Sequence, residues 1–343
     1  MYLSGVHSRN LNLMYEGNSS TEMCVETRFG QSERVTLKRV VMQGSVLGGT
    51  LCSNQVSKLC NKTFQEGNVY MYGGIIPIPA LAMVDDIINV SLCNHVDGTK
   101  KNVSTDEFIK SKKLESQVGE GKCQWIHIGS DTCESEYMAN NNKLTQCDVY
   151  KYLGDHVADG WEPLYKKRSD KSLGYAITCQ AMCIEISLGY QIFPVAKLLH
   201  QAIFLNGTLI NMETWPHFTE KRMWEFERIE QGLFRKVLSA HSKTPIECLY
   251  LELGVLPFRF NLMTRRIMYY HEIMNRNDEE LTKKVLMLQN ERMYKGDVAQ
   301  LVRQDMDLLG ISNEHITKSK SSFKDFVDKK VCDVAFEYLL EQA

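Results

Sequence analysis

Two adjacent carboxylates, Asp85 and Asp86, follow the apolar run Leu81-Ala82-Met83-Val84 and precede Ile87-Ile88. Such a pattern reads as a buried strand that delivers its charges to a hairpin tip. Unpaired carboxylates are costly to bury, so a pair in this position calls for a cation or strong donors beside it. A hard divalent ion takes few protein carboxylates and keeps positions for substrate phosphates, which suits a strand tip open to a cleft. Side chains alternate along a strand, so the two do not point alike. Taken alone, Asp-Asp equally suits a solvated turn. Two further residues invite chemistry. Lys122 precedes the apolar stretch Trp125-Ile126-His127-Ile128, which reads as a strand. Gly44 sits where a bare backbone lets a ligand approach closely, or where the chain simply turns.

These stretches occur in the order of a known family. Met42-Gln43-Gly44-Ser45-Val46-Leu47-Gly48-Gly49 resembles motif B of reverse transcriptases, Val84-Asp85-Asp86 their x-Asp-Asp motif C, Gly121-Lys122-Cys123 their motif D, and Tyr152-Leu153-Gly154 their primer grip. The resemblance is to the enzyme of non-LTR (LINE-like) retrotransposons and runs on through Asn211-Met212-Glu213-Thr214-Trp215 to Arg265-Arg266. It implies an RNA-directed DNA polymerase of a transposable element, a nucleotidyltransferase extending a DNA primer on an RNA template from deoxynucleotide triphosphates with Mg²⁺ or Mn²⁺. It implies Asp85 and Asp86 as catalytic metal ligands, Asp85 the better of the two, and Lys122 as the proton donor to pyrophosphate. By the same resemblance Gln43 and Gly44 line the nucleotide pocket, while Tyr152, Leu153 and Gly154 hold the primer. Met83 stands where many relatives carry an aromatic residue. The family's first motif, an aspartate in an aromatic-rich strand, is expected before residue 1, so the chain reads as an N-terminally truncated fragment, inactive by itself.

The elements that must position these residues are of two kinds. Glu22 to Gly30 and Arg34 to Met42 read as strands, Thr50 to Phe64 as a helix, and Val69-Tyr70-Met71-Tyr72, Gly73-Gly74, Ile75 to Pro79 as strand, turn and strand. Val96 to Lys113 is polar, and its basic run Lys110-Ser111-Lys112-Lys113 reads as solvated surface rather than as nucleic-acid contact. After Asp159-Gly160 helical signals dominate. Thr219 is placed to cap a helix whose Met223, Phe226, Ile229, Leu233, Phe234 and Val237 form one apolar stripe. Pro245 and Pro257 open two more helices, Gly254 closes the first, and a last helix from about Phe323 carries Phe326, Val327, Val331, Val334 and Leu339. Arg259 and Arg266, seven apart, share a helix face with Arg265 beside it, exposed to solvent or to phosphates. The expected fold is α+β: a partial palm of antiparallel sheet and helices over 1–160, a helical thumb over 161–276 and a helical C-terminal region over 277–343.

Composition sets bounds. At 43% hydrophobic and 24% charged the chain is an ordinary globular sequence, and its formal charge of −2 announces no global field for nucleic acid. Residues 161–276 nevertheless carry 15 Lys+Arg against 11 Asp+Glu, which permits backbone contacts. Eleven cysteines without C-x-x-C or zinc-finger spacing read as reduced thiols, with Cys179 and Cys183 packing on one helix face. No apolar run reaches the roughly 18 residues of a membrane span, and the stretch from Leu198 to Ile210 reads as a core helix. No secretory signal opens the chain, so it is expected to be intracellular, nuclear or cytoplasmic, with no membrane partner. The competing function is a non-catalytic helical module that binds nucleic acid or protein, or the product of a decayed element.

Overall fold

Tyr70-Met71-Tyr72 and Ile76-Pro77-Ile78 alternate about two glycines, and they fold as the hairpin that alternation dictates, with Tyr72 opposite Ile76 and both Gly73 and Gly74 left-handed, at φ 58° and 76°. The computed structural model describes residues 21–24, 26–28, 30–37, 57–60, 62, 69–78, 80–83, 86–92, 95–111, 122–129, 136–186, 192–317 and 319–342. The chain divides into two units, Met1–Leu153 and Gly154–Ala343. It is an α+β protein with small, mainly antiparallel sheets.

In the first unit β1 (Thr21–Met23) pairs with β4 (Val35–Leu37), and β2 (Glu26–Thr27) with β3 (Gly30–Gln31). The strand expected over 22–30 is thus two short pieces, and the helix expected over 50–64 is described only at 57–60 and 62, where Leu59 is buried. The Tyr70–Tyr72 and Ile76–Ile78 hairpin is β5 and β6. β7 (Ala80–Met83) and β8 (Asp86–Asn89) follow, then α1 (His95–Ser111), β9 (Gln124–Trp125), β10 (Met138–Ala139), β11 (Asn142–Lys143), β12 (Thr145–Gln146) and β13 (Val149–Tyr152). β9 lies parallel to β12 and is shorter than the strand expected over 125–128. Among the described residues strands pair only in twos, so the wider antiparallel sheet expected of a palm is not formed by them.

The second unit begins with β14 (Asp155–Ala158) and is otherwise helical: α2 (Glu162–Ile186), α3 (Ile192–Leu199), α4 (Glu220–Val237), α5 (Ile246–Leu253), α6 (Phe258–Met274), α7 (Leu281–Arg292), α8 (Val298–Leu308) and α9 (Lys320–Gln342). α3 runs on into a π-helical segment, His200–Leu205, whose Phe204 is fully buried, so the stretch read as a core helix is one. α4 follows its stripe: Met223, Phe226, Leu233, Phe234 and Val237 are buried, and the Thr219 hydroxyl accepts from the Arg222 backbone N–H at 3.4 Å. Pro245 and Pro257 stand at the N-cap rather than the first helical position, and Gly254 ends α5 at φ 58°. In α9 every fourth residue, Phe323, Val327, Val331, Ala335 and Leu339, faces inward. Two apolar clusters result, and α6 serves both: Phe258 and Leu262 in one, Phe260, Ile267, Tyr270 and Ile273 in the other.

Charges tie these helices together. Arg266 is buried and holds Asp305 of α8 through two bonds of 2.7 and 2.9 Å. Arg259 grips Glu227 in the same bidentate way, and Arg265 reaches the Leu209 carbonyl and Asn206. The arginine face expected to meet solvent or phosphate is therefore internal cross-linking. Its partners lie 32 to 59 residues away in sequence.

Candidate functional site

The site is built on α1. A polar helix of this kind has no apolar stripe to announce it, yet Lys101 is fully buried with its Nζ on the Val90 carbonyl at 2.6 Å. Asn89, the last residue of β8, donates to Asn102 and Thr105 of α1, at 3.2 Å each. On another side Gly98 lets the Tyr137 ring come so close that a Cβ would stand 2.3 Å from it. That ring packs against Trp125 of β9 with centroids 4.8 Å apart, and the Asn140 N–H bonds Asp106 of α1. The strand that carries Asp86 and the strand that Lys122 precedes are thereby anchored to one helix. The polar stretch is thus a helix that scaffolds the site; of the basic run expected to be solvated, Lys110 and Ser111 are exposed, and Lys112 and Lys113 lie outside the described residues.

Asp86 opens β8 opposite Met83 and is exposed. Tyr152, on β13, donates its hydroxyl to the Asp86 carbonyl at 3.4 Å, and Tyr150 donates to the Lys122 carbonyl at 2.9 Å. Residues two apart on a strand share a face, so one face of β13 bridges the two stretches. Burial pushes both phenols above their ordinary range; the Asp86 charge adds to this in each case, after the Cys123 thiol in that of Tyr150. Both phenols therefore stay protonated donors at neutral pH. Beyond Tyr152 the backbone is left-handed at Leu153 (φ 50°) and Gly154 (φ 87°), and a Cβ on Gly154 would meet nothing within 4 Å.

Of the residues the sequence singles out, Asp86, Lys122 and Tyr152 come together, with Leu153 and Gly154 following in the turn. Asp85, Gln43 and Gly44 lie outside the described residues. Tyr150 is the member that sequence reading missed; its signal is the alternation Val149-Tyr150-Lys151-Tyr152. Among the described residues no group of three or more His, Cys, Asp or Glu is arranged to hold a metal ion. Asp86 alone does not make a divalent site, since such an ion needs a fuller set of oxygen ligands. No described helix is long and apolar enough to cross a membrane.

Cys179 and Cys183 are buried in α2, and Cys179 donates to the Leu199 carbonyl at 3.4 Å, which makes them packing groups.

Compared with known proteins, the chain matches no family model, no curated protein and no solved structure.

Proposed function

We propose that the first unit carries the later part of a reverse-transcriptase-like polymerase palm and the second its helical thumb and C-terminal region. The observation that supports this reading is the meeting of three separately recognised stretches: Asp86, Lys122 and Tyr152 share one small region, bridged by the phenols of Tyr150 and Tyr152. The order of the three stretches in the sequence alone would not demand that. In the proposed reaction a primer 3′-hydroxyl gives its proton to solvent as its oxygen bonds to the α-phosphorus of an incoming deoxynucleotide triphosphate, and the bond from that phosphorus to pyrophosphate breaks. Lys122 would donate the proton that the departing pyrophosphate takes up. The β13 face would hold the primer end near Asp86, where orientation lowers the barrier. The family's divalent ions would stabilise charge on the phosphates.

The test is primer extension on an RNA template with Mg²⁺ or Mn²⁺. It compares the 343-residue chain, the same chain supplied upstream with a first-motif strand, and Asp85→Asn in each. Extension by the supplied chain that Asp85→Asn abolishes is the expected result. Extension that survives Asp85→Asn, or none from either chain, removes the polymerase reading and leaves the helical unit to be considered as a binding module.

A further inference from the structure

Helix α4 turns its buried residues inward and leaves one face to solvent. At 100° per residue, Lys221, Trp224, Arg228, Gly232 and Lys236 fall along that face. Trp224 is 52% exposed, a costly placement for the largest apolar side chain, and the Arg228 guanidinium lies over its ring at 5.2 Å from the centroid. Lys221, Arg228 and Lys236 are exposed. Among the described residues Arg228 is the one arginine of the second unit that no carboxylate, amide, hydroxyl or carbonyl engages. Of the acids of α4, Glu227 and Glu230 are buried, Glu225 lies on this face but is paired with Arg222, and Glu220 at its edge is paired with Arg259. Gly232 has nothing within 4 Å of where a Cβ would stand, so the backbone there is open to close approach.

We infer that this face of α4 is a docking platform for single-stranded nucleic acid, with a base stacked on Trp224 and phosphates on Lys221, Arg228 and Lys236. Cations spaced along an aromatic-bearing face meet the two needs of such a strand, an unstacked base and a regular row of negative charge. A duplex keeps its bases stacked on one another and offers the ring nothing. The inference rests on the nucleic-acid reading above for the kind of polymer, but its residues all belong to α4 of the second unit.

The test is fluorescence anisotropy of the full chain with labelled 20-residue oligo-uridylate, oligo-thymidylate and a duplex of equal length, on wild type, Trp224→Phe, Trp224→Leu, Arg228→Gln and, as a control on an exposed cation of another helix, α9, Lys329→Gln. Trp224 and Arg228 are exposed, so the variants keep the fold; circular dichroism checks it. The expected result is preference for a single strand over the duplex, with about a tenfold loss in Trp224→Leu, most binding kept in Trp224→Phe, and no change in Lys329→Gln. Replacing one of three phosphate contacts in Arg228→Gln should lower the slope of log affinity against log salt by about 0.7. Whether RNA or DNA binds better identifies the strand. Equal affinity for duplex, an unaltered Trp224→Leu, or no binding of any of the three overturns the inference. Asp85→Asn and Trp224→Leu read out separately, the first in extension and the second in binding, so either idea can fail without the other.

Discussion

Arg266 and Asp305 meet through two parallel hydrogen bonds at a position where both side chains are almost wholly shielded from water. Burial outweighs the guanidinium beside it and pushes the Asp305 carboxyl above its ordinary value. An attraction that does not compensate desolvation is the mark of a buried pair that fixes geometry more than it adds stability. Arg266→Leu, which strands the carboxylate, should cost about 3–5 kcal/mol, while the double change Arg266→Met with Asp305→Leu should lie within about 2 kcal/mol of the parent. Urea unfolding of both variants decides it. The sign with pH follows: a carboxyl raised in the folded state favours the fold below its unfolded value, and that advantage is lost as pH rises through its folded one.

Glu230 is the most heavily used carboxylate of the core. One oxygen meets His200 at 2.7 Å; the other accepts from the Tyr250 hydroxyl at 2.7 Å and the Phe258 N–H at 2.9 Å. Glu230→Ala leaves three buried polar groups without this partner and should cost at least about 3 kcal/mol. Glu230→Gln keeps an acceptor for Tyr250 and Phe258 and offers an N–H to His200, so it should cost less than half as much. Equal losses would show that the charge of the carboxylate, which Gln lacks, is what the site needs, since Gln keeps its volume.

The thiol of Cys179 is pushed up to about 11 by burial, with Cys183 beside it adding to the effect. Only about one part in a thousand is thiolate at pH 8, and the thiolate is the reactive form. A disulfide-exchange reagent should therefore label the exposed Cys248 and Cys332 first and reach Cys179 only on unfolding. Mass spectrometry of the labelled peptides is the readout, and early modification of Cys179 in folded protein would contradict its placement.

Two helix glycines should respond oppositely to alanine. Gly174→Ala on α2 meets nothing within 4 Å and should stabilise by about 0.4–1 kcal/mol through chain entropy. Gly98→Ala on α1 drives a methyl into the Tyr137 ring and should destabilise by about 1–3 kcal/mol despite the better helix former. Thermal unfolding that moved both the same way would mean Tyr137 does not pack on α1 as described.

What the sequence disclosed followed the physics of periodicity. α4 was legible because six apolar residues recur at helical spacing behind a threonine cap, and the β5–β6 hairpin because two glycines separate alternating strands. α1 was not legible: a helix that buries a lysine on a carbonyl and a glycine under a tyrosine leaves no apolar period to read. The arginine face of α6 misled for a different reason, since heptad spacing identifies a shared face but not the carboxylates 32 and 39 residues away that occupy it. At the candidate site the apolar run read as one buried strand is instead two paired strands, Ala80–Met83 and Asp86–Asn89, with Leu81 and Asp86 exposed, because a run of eight residues does not reveal a turn in its middle. The role of Tyr150 was not legible, because its partner is a main-chain carbonyl, and any residue supplies one.

α6 lends one side to each apolar cluster of the second unit. Neither cluster can then lose its packing while the other stays intact, because the same helix would have to be present for one and absent for the other. Heat or denaturant should find a single boundary to cross in these helices, with no half-melted species for a protease to trap, although their sequence contains two cores that could each have been a domain.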